Sequence, residues 1–507
     1  MKDRNPARWL GNAIAILGVI VSTAISGAQG TAVPSQATAA PGSREAELEE
    51  HMDELIRKMD NMRQRLNESQ SEMGQLRAEV DALKAQLSEK NQGEEAARTV
   101  VALQSGIAQI REQTDVIESE VKQHDQTKVE SATKYPVRIT GMLLFTSLLN
   151  NGTADNLDVP TVAVANPPNA AAGSLGATAR QTVLSISASG PHIWGAKGSS
   201  ELSVDFFAGM PYSDYKTSAG NLRFRTGHAN LEWPGRSLIV SFDRPLISPL
   251  QPTSWLSVGE PALAWSGNLW TWSPQIEFKE NSILNNPHIG LEFGLIDPAA
   301  PGVSTGSGLR LPDPSERSRQ PGYEARLSST IAWEGHQVNL GAGGYYSRQT
   351  YTFNRHVDAW AGTADWNASL TPRVELSGEF YRGRAIGGLG GGAFKDYLTY
   401  GFYTSLRGLN AVGGWGQVKF KILPSLEGNL AGGQDNAFAK DLRNSDLGLG
   451  LDDYTDLARN RSIFGNLIFR PRPYLLLSTE FRQLKSWTIT GESYQNRILG
   501  FAGGYSF

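Results

Sequence analysis

Hydrophobic positions follow three successive patterns along the chain. They are nearly continuous over Ala13–Ile25, recur every three or four residues between Leu48 and Val121, and alternate with polar residues from Tyr135 onward. The first pattern is short. It follows Lys2, Arg4 and Arg8 and precedes Ser26 and Ala28 at the small-residue spacing of a cleavage site. That arrangement predicts an export signal over 1–28 that is removed, because the run falls short of the ~20 apolar residues of a membrane helix. A Pro/Ala/Ser/Gly stretch over 29–43 reads as a flexible linker.

The second pattern predicts an α-helical coiled coil over 44–128. One core position reads Met52, Met59, Leu66, Met73, Val80, Leu87, and the other Leu48, Leu55, Met62, Ser69, Leu76, Leu83. A period of 3.5 residues keeps a narrow apolar stripe turned toward a partner helix. Asn91-Gln92-Gly93 interrupts it, since glycine costs about 1 kcal/mol inside a helix. The spacing then resumes through Val100, Leu103, Ile107, Ile110, Thr114, Ile117 and Val121. Gly93 would also permit a helical hairpin packed on itself, but both stripes are narrow and favour association between copies.

The third pattern predicts strands. Leu202-Val204-Phe206, Ile289-Leu291-Phe293-Leu295, Val374-Leu376-Gly378-Phe380 and Leu475-Leu477-Thr479-Phe481 each alternate with mostly polar or small neighbours, the period of two that a β-strand presents to its two faces. A sandwich would alternate in the same way, so the connections decide. Tight links at 233–236, 333–336, 370–373, 423–425 and 470–473, with two longer ones near 190–200 and 280–287, separate eight polar or Gly-rich loops. These loops lie at 150–179, 209–221, 244–270, 297–321, 349–356, 384–408, 432–461 and 487–495. Seven turns and eight loops require sixteen strands. Short turns on one side, long loops on the other and an even strand number predict an all-β transmembrane barrel of the bacterial outer membrane over 135–507, with 16 antiparallel strands. Closure follows from the setting, because an open edge in hydrocarbon leaves backbone groups unpaired. Both barrel ends then return to the periplasm, where the coiled coil must lie.

Composition narrows the function classes. The chain has no cysteine, which removes disulfides, thiolate metal sites and cysteine nucleophiles. Its 47 basic and 51 acidic side chains leave a net charge of −4, without the basic excess of a nucleic-acid binder. The acidic excess is confined to residues 44–130, with 20 acids and 12 bases. No G-x-S-x-G, H-E-x-x-H, Walker or dinucleotide fingerprint occurs, and the seven histidines do not pair at metal-ligand spacing. No enzyme, cofactor or metal site is expected.

The last strand sharpens the membrane reading. Leu499, Phe501, Tyr505 and Phe507 share one face of Asn496–Phe507, as in the aromatic-ended closing strand of outer-membrane proteins. Trp233, Trp333, Trp366, Tyr474 and Trp487 suit interfacial girdles. The chain resembles porins of the DcaP type and, more distantly, phosphate-selective porins. The resemblance is carried by SVDFFAGM (Ser203–Met210), LRFRTGHANLEW (Leu222–Trp233), SFDRPLISPLQP (Ser241–Pro252) and SGNLWTWSPQIEF (Ser266–Phe278). It implies a homotrimer of barrels in outer-membrane lipid that passes small hydrophilic, often anionic, solutes, with the third external loop folded into the lumen.

The pore chemistry is read from one strand and one loop. On Leu222–Trp233 the outward placing of Leu222 and Phe224 turns Arg223 and Arg225 into the lumen, and a bulge at Gly227 would bring His228, Asn230 and Glu232 inward as well. Lumen arginines attract anions, or they brace the barrel by pairing with Asp205 or Asp243. The proline-rich loop 244–270 carries Arg244 and Glu260 among apolar Trp255, Leu256, Leu263 and Trp265. Folded inward it would set Glu260 against the basic wall; folded outward it would cover a trimer interface. The expected pore-lining set is Arg223, Arg225, His228, Arg244, Asp205, Asp243 and Glu260. An alternative role is an envelope tether, in which the rod contacts peptidoglycan and the barrel is only an anchor.

Overall fold

The computed structural model describes residues 136–507, apart from 170–171, 210–219, 282–287, 300–310, 334–335, 352–353, 402–403, 444 and 447–455. The export signal, linker and coiled coil expected over 1–128 lie outside the described residues, as does the side chain of Trp333.

Alternation of apolar and polar residues produces a single closed sheet of 16 antiparallel strands. They are β1 (Val137–Asn151), β2 (Ser174–Thr178 and Val183–Ile193, one strand with a break), β3 (Ala196–Asp205), β4 (Arg223–Trp233), β5 (Arg236–Asp243), β6 (Ser273–Glu280), β7 (Ile289–Ile296) and β8 (Gly322–Trp333). They continue with β9 (His336–Tyr351), β10 (Arg355–Thr371), β11 (Val374–Arg384), β12 (Asn410–Leu423), β13 (Leu426–Ala437), β14 (Leu457–Arg472), β15 (Leu475–Thr488) and β16 (Ser493–Ser506). The ring closes where β1 meets β16, from Met142↔Ser506 to Asn151↔Arg497. Phe507 takes part in the seam: its N–H donates to the Gly141 carbonyl at 3.1 Å and its carbonyl accepts from Gly141 N–H at 3.0 Å.

The two faces of each strand differ sharply. On β1, Leu143, Phe145 and Leu149 are exposed outward, whereas Leu144, Thr146 and Leu148 are buried inward. On β14 the outward Ile463, Leu467 and Phe469 are exposed and the inward Phe464, Asn466 and Ile468 are buried. Exposed large apolar side chains run around the whole outer face of the ring. Tyr474 and Tyr505 pack together at the turn end, 5.7 Å between centroids. Trp366 departs from the expected girdle. It lies inside β10 and covers Gly378, where an added Cβ would come within 2.4 Å of the indole.

Three loops fold into the barrel instead of standing above it. The segment between β5 and β6, residues 244–272, supplies Ile247, Leu256, Leu263 and Leu269 to the apolar clusters of the interior. The Gly-rich segment between β11 and β12 buries Ile386, Leu389, Ala393 and Leu409. The segment after β1 buries Thr161, Val162 and Ala163, with Ala163 N–H donating to Ser486 Oγ on β15 at 2.9 Å.

Candidate functional site: the lumen and its inner segment

The inner segment is held by polar groups that the strands point inward, and their order traces its path. Leu246 N–H donates to Glu324 on β8 at 3.1 Å, and Ser248 and Leu250 donate to Glu379 on β11 at 2.5 and 2.7 Å. Thr253 N–H donates to Gln417 on β12 at 2.6 Å, and Asn466 on β14 donates to the Thr253 carbonyl at 2.8 Å. Ser254 donates to Glu480 on β15 at 2.6 Å, while Arg482 donates to Ser257 at 2.6 Å. Val258 and Gly259 N–H then donate to the Gln181 side chain in the break of β2, at 2.7 and 3.0 Å. On the return, Asn460 donates to Ser266 Oγ at 3.0 Å and Trp270 N–H to the Leu389 carbonyl at 3.1 Å. The segment thus runs round the inner wall and doubles back. Two glycines allow that approach: a Cβ on Gly433 would stand 2.2 Å from the Ser266 carbonyl, and one on Gly267 (φ +100°) 2.2 Å from that of Gly414.

The sequence-predicted residues gather where β3 and β4 meet this segment. Asp205, at the end of β3, is fully buried. Arg223 grips it bidentately, Nε to Oδ1 at 2.9 Å and a terminal nitrogen to Oδ2 at 2.6 Å. Arg225 Nε lies 3.5 Å from the same carboxylate. Both guanidiniums also donate to the inner segment, Arg223 to the Gly259 carbonyl at 2.6 Å and Arg225 to that of Val258 at 3.0 Å. Both stand 5.0 Å from the Trp272 ring centre. One carboxylate therefore serves two cations.

The bulge expected at Gly227 falls two residues earlier. Ser203 pairs with Thr226 and Val204 with Phe224, so Arg225 is the extra residue. The shift still turns His228 to the face of Glu201 and Asn230 to that of Ser199. At the extra position Arg225 finds a carbonyl and a carboxylate partner, that of Val258 at 3.0 Å and that of Asp205 at 3.5 Å.

Arg244 and Asp243 do not join the pair on Asp205. Asp243 Oδ1 accepts the N–H of Arg244 at 2.7 Å. The Arg244 guanidinium turns into its own segment and donates to the Leu250 carbonyl and the Gln251 side chain. Glu260 does lie near Arg223. Burial pushes its carboxyl up to about 7, helped by nearby Asp155 and opposed by Arg223 and by a hydrogen bond with Trp265.

Beside the inner segment a cavity of about 300 Å³ opens against β4–β7, lined by His228, Asn230, Asp243, Arg244, Glu277, Lys279 and Glu292. Its wall continues as a ladder of alternating charge. Lys279 reaches Glu277 at 3.2 Å and Glu292 at 3.1 Å, and Arg326 joins Glu292 at 2.5 Å to Asp365 at 2.7 Å. Sequence reasoning missed Glu277, Lys279, Arg326, Asp365 and the clamp Gln181. The first four occupy polar positions of recognisable strands, but only the register reveals that they are neighbours. Among the described residues no cluster could hold a metal ion.

No protein-family model matches the chain, and no curated protein is similar to it in sequence. Solved structures do share the fold. The outer membrane channel DcaP of Acinetobacter baumannii matches with a TM-score of 0.57 at 17% identity, over 74% of this chain and 99% of that one. The anion-selective porin from Comamonas acidovorans matches at TM-score 0.44 and 10% identity, over 74% and 100%. Pseudomonas putida OprB matches at TM-score 0.44 and 11% identity, over 75% and 96%.

Proposed function

We propose that this chain is an outer-membrane porin that lets small hydrophilic solutes diffuse through a barrel narrowed by residues 244–272. The observation that carries the reading is an apolar exterior combined with a cavity inside the ring, beside the inner segment, whose lining includes Asp243, Arg244, Glu277, Lys279 and Glu292. The shared fold with an outer membrane channel supports it. A mere membrane anchor would have no use for an ionised, water-facing wall, so the tether reading is not favoured.

Within this reading the pore prefers anions weakly. Two arginines share Asp205, leaving one positive charge at the inner segment, and a guanidinium keeps that charge at physiological pH. The ladder on β6–β10, further round the ring from these arginines, sets three carboxylates against two cations, so the net preference is small. Conduction needs such weak, successive contacts in order not to trap the solute. The chain assembles as a homotrimer, with the periplasmic rod over 44–128 contributing to association and available to peptidoglycan; mass photometry with and without that segment reads the first point. The reversal potential across a KCl gradient tests the selectivity. The parent should favour chloride and Arg223→Ala/Arg225→Ala should lose that bias. Equal permeability in both would reduce the two arginines to braces.

A further inference from the structure

The outward faces of β13–β16 change character once along their length. Toward the turns they carry exposed Leu430, Ile463, Leu467, Leu477, Phe481 and Leu499. Toward the loops the same faces carry Arg459, Arg461, Lys485 and Arg497. Register brings the first three together: Arg459 lies opposite Trp487, and Arg461 opposite Lys485. Their charged ends surround one indole, at 5.3 Å for Arg459, 5.1 Å for Arg461 and 5.0 Å for Lys485 from the Trp487 ring centre.

Among the described residues these cations have no ion-pair partner, and the outward positions beside them are Gln434, Asn436, Gln483 and Gln495. Asn436 accepts a hydrogen bond from Arg459 Nε at 2.7 Å, which fixes that side chain without neutralising it. Several other arginines of the barrel do meet acids, as outward Arg348 meets Asp358 at 2.9 Å and inward Arg482 meets Glu480 at 2.6 Å.

Height decides what can meet them. Arg461 stands eight residues above Phe469, about 27 Å along the strand, or about 20 Å along the barrel axis at a tilt of about 40°. The patch therefore lies at the upper margin of an apolar belt about 25 Å tall, where headgroups replace acyl chains. Arginine holds phosphate oxygens bidentately, and tryptophan settles at that level.

We propose that Arg459, Arg461 and Lys485, gathered round Trp487 on the outer face of β14 and β15, dock the phosphate-bearing headgroup of a lipid in the loop-side leaflet. Its acyl chains lie over Ile463, Phe481 and Leu499 below. Free phosphate would use only the upper half of this surface; the apolar continuation selects a lipid. The inference rests on the outer-membrane placement proposed above, but its readout is lipid retention, whereas that of the porin reading is ionic current.

Native mass spectrometry of the purified full chain in detergent tests it, with bis-phosphorylated lipid A, the same glycolipid without phosphates, and inorganic phosphate as probes. The phosphorylated lipid should be retained at least about tenfold more tightly than the phosphate-free one, and millimolar inorganic phosphate should not displace it. Arg461→Gln/Lys485→Gln should weaken retention about tenfold, and Arg472→Gln at the turn-side rim should not. Equal retention of the two lipids by the parent, displacement by free phosphate, or full retention by the folded double variant would overturn the assignment. The parent comparison needs no variant to fold.

Discussion

The lumen has two unlike walls. Along the loop-side half of β9–β16 the inward side chains are buried under the tucked segments: Tyr345, Ala359, Tyr381, Trp415, Asp435, Ser462 and Phe464 scarcely meet solvent. Along β3–β7 the inward His228 and Glu201 are exposed and Lys279 and Glu292 half-buried. The packed wall tolerates carboxylates only where they are fully engaged. Glu379 accepts from Ser248, Leu250 and Trp415, and Asp435 from Tyr381 at 2.6 Å and from the Ala393 N–H at 2.6 Å. On the open wall Lys279 and Glu292 keep contact with solvent, while the ladder's Glu277, Arg326 and Asp365 are buried and ion-paired. Burial without a partner is costly and solvated charge is not, so one barrel can be a core on one side and an aqueous surface on the other.

If this contrast is right, substitutions on the two walls should differ greatly in effect. The largest is expected from Gly433→Val, whose side chain must displace Ser266 and with it the return of the inner segment. Overpacking at this contact should cost about 3 kcal/mol or more, read as a lower temperature for loss of the folded band on unheated electrophoresis and as a larger single-channel conductance. Glu379→Ala comes next. It strands three donors, at about 1 kcal/mol or more each, and should lower stability while leaving the reversal potential near that of the parent. Acidification should act more mildly and on selectivity. Glu260, its carboxyl raised to about 7, is mostly ionised at pH 8 and mostly neutral at pH 6. Removing that negative charge beside Arg223 should increase chloride preference as pH falls, and Glu260→Gln should abolish most of the change. On the open wall, His228→Ala should alter stability by no more than about 0.5 kcal/mol, measured by the same electrophoretic melting.

The strand plan was legible because its signals are local. Period-two alternation and links such as Trp233-Pro234-Gly235-Arg236 are read within a few residues, and seven turns and eight loops do separate the strands, although Ser174–Thr178 lies inside the expected loop 150–179 and β13 and β14 extend into the expected loop 432–461. What depends on the third dimension was not legible. Gly227 looks like the natural bulge, yet the extra residue is Arg225, because its partners come from β3 and from 258 on the inner segment. The tract Gly387-Gly388-Leu389-Gly390-Gly391-Gly392 reads as a surface loop; inside the barrel its glycines allow contact with Trp270, Lys395 and Ile386. Gln181 carries no pattern at all, and only closure of the ring brings it to the inner segment. The arginine–carboxylate grouping on β3 and β4 could be suspected from parity, but that one Asp205 serves both arginines is a matter of register.

Because the chain has no cysteine, a single introduced thiol can report which wall bounds the aqueous path. In planar-bilayer recordings of the full chain, a charged methanethiosulfonate reagent should reduce the current through His228→Cys, on the open wall. It should leave Ser462→Cys, on the packed wall, unchanged. Block at Ser462→Cys without block at His228→Cys, or a folded parent barrel that carries no current, would contradict the account.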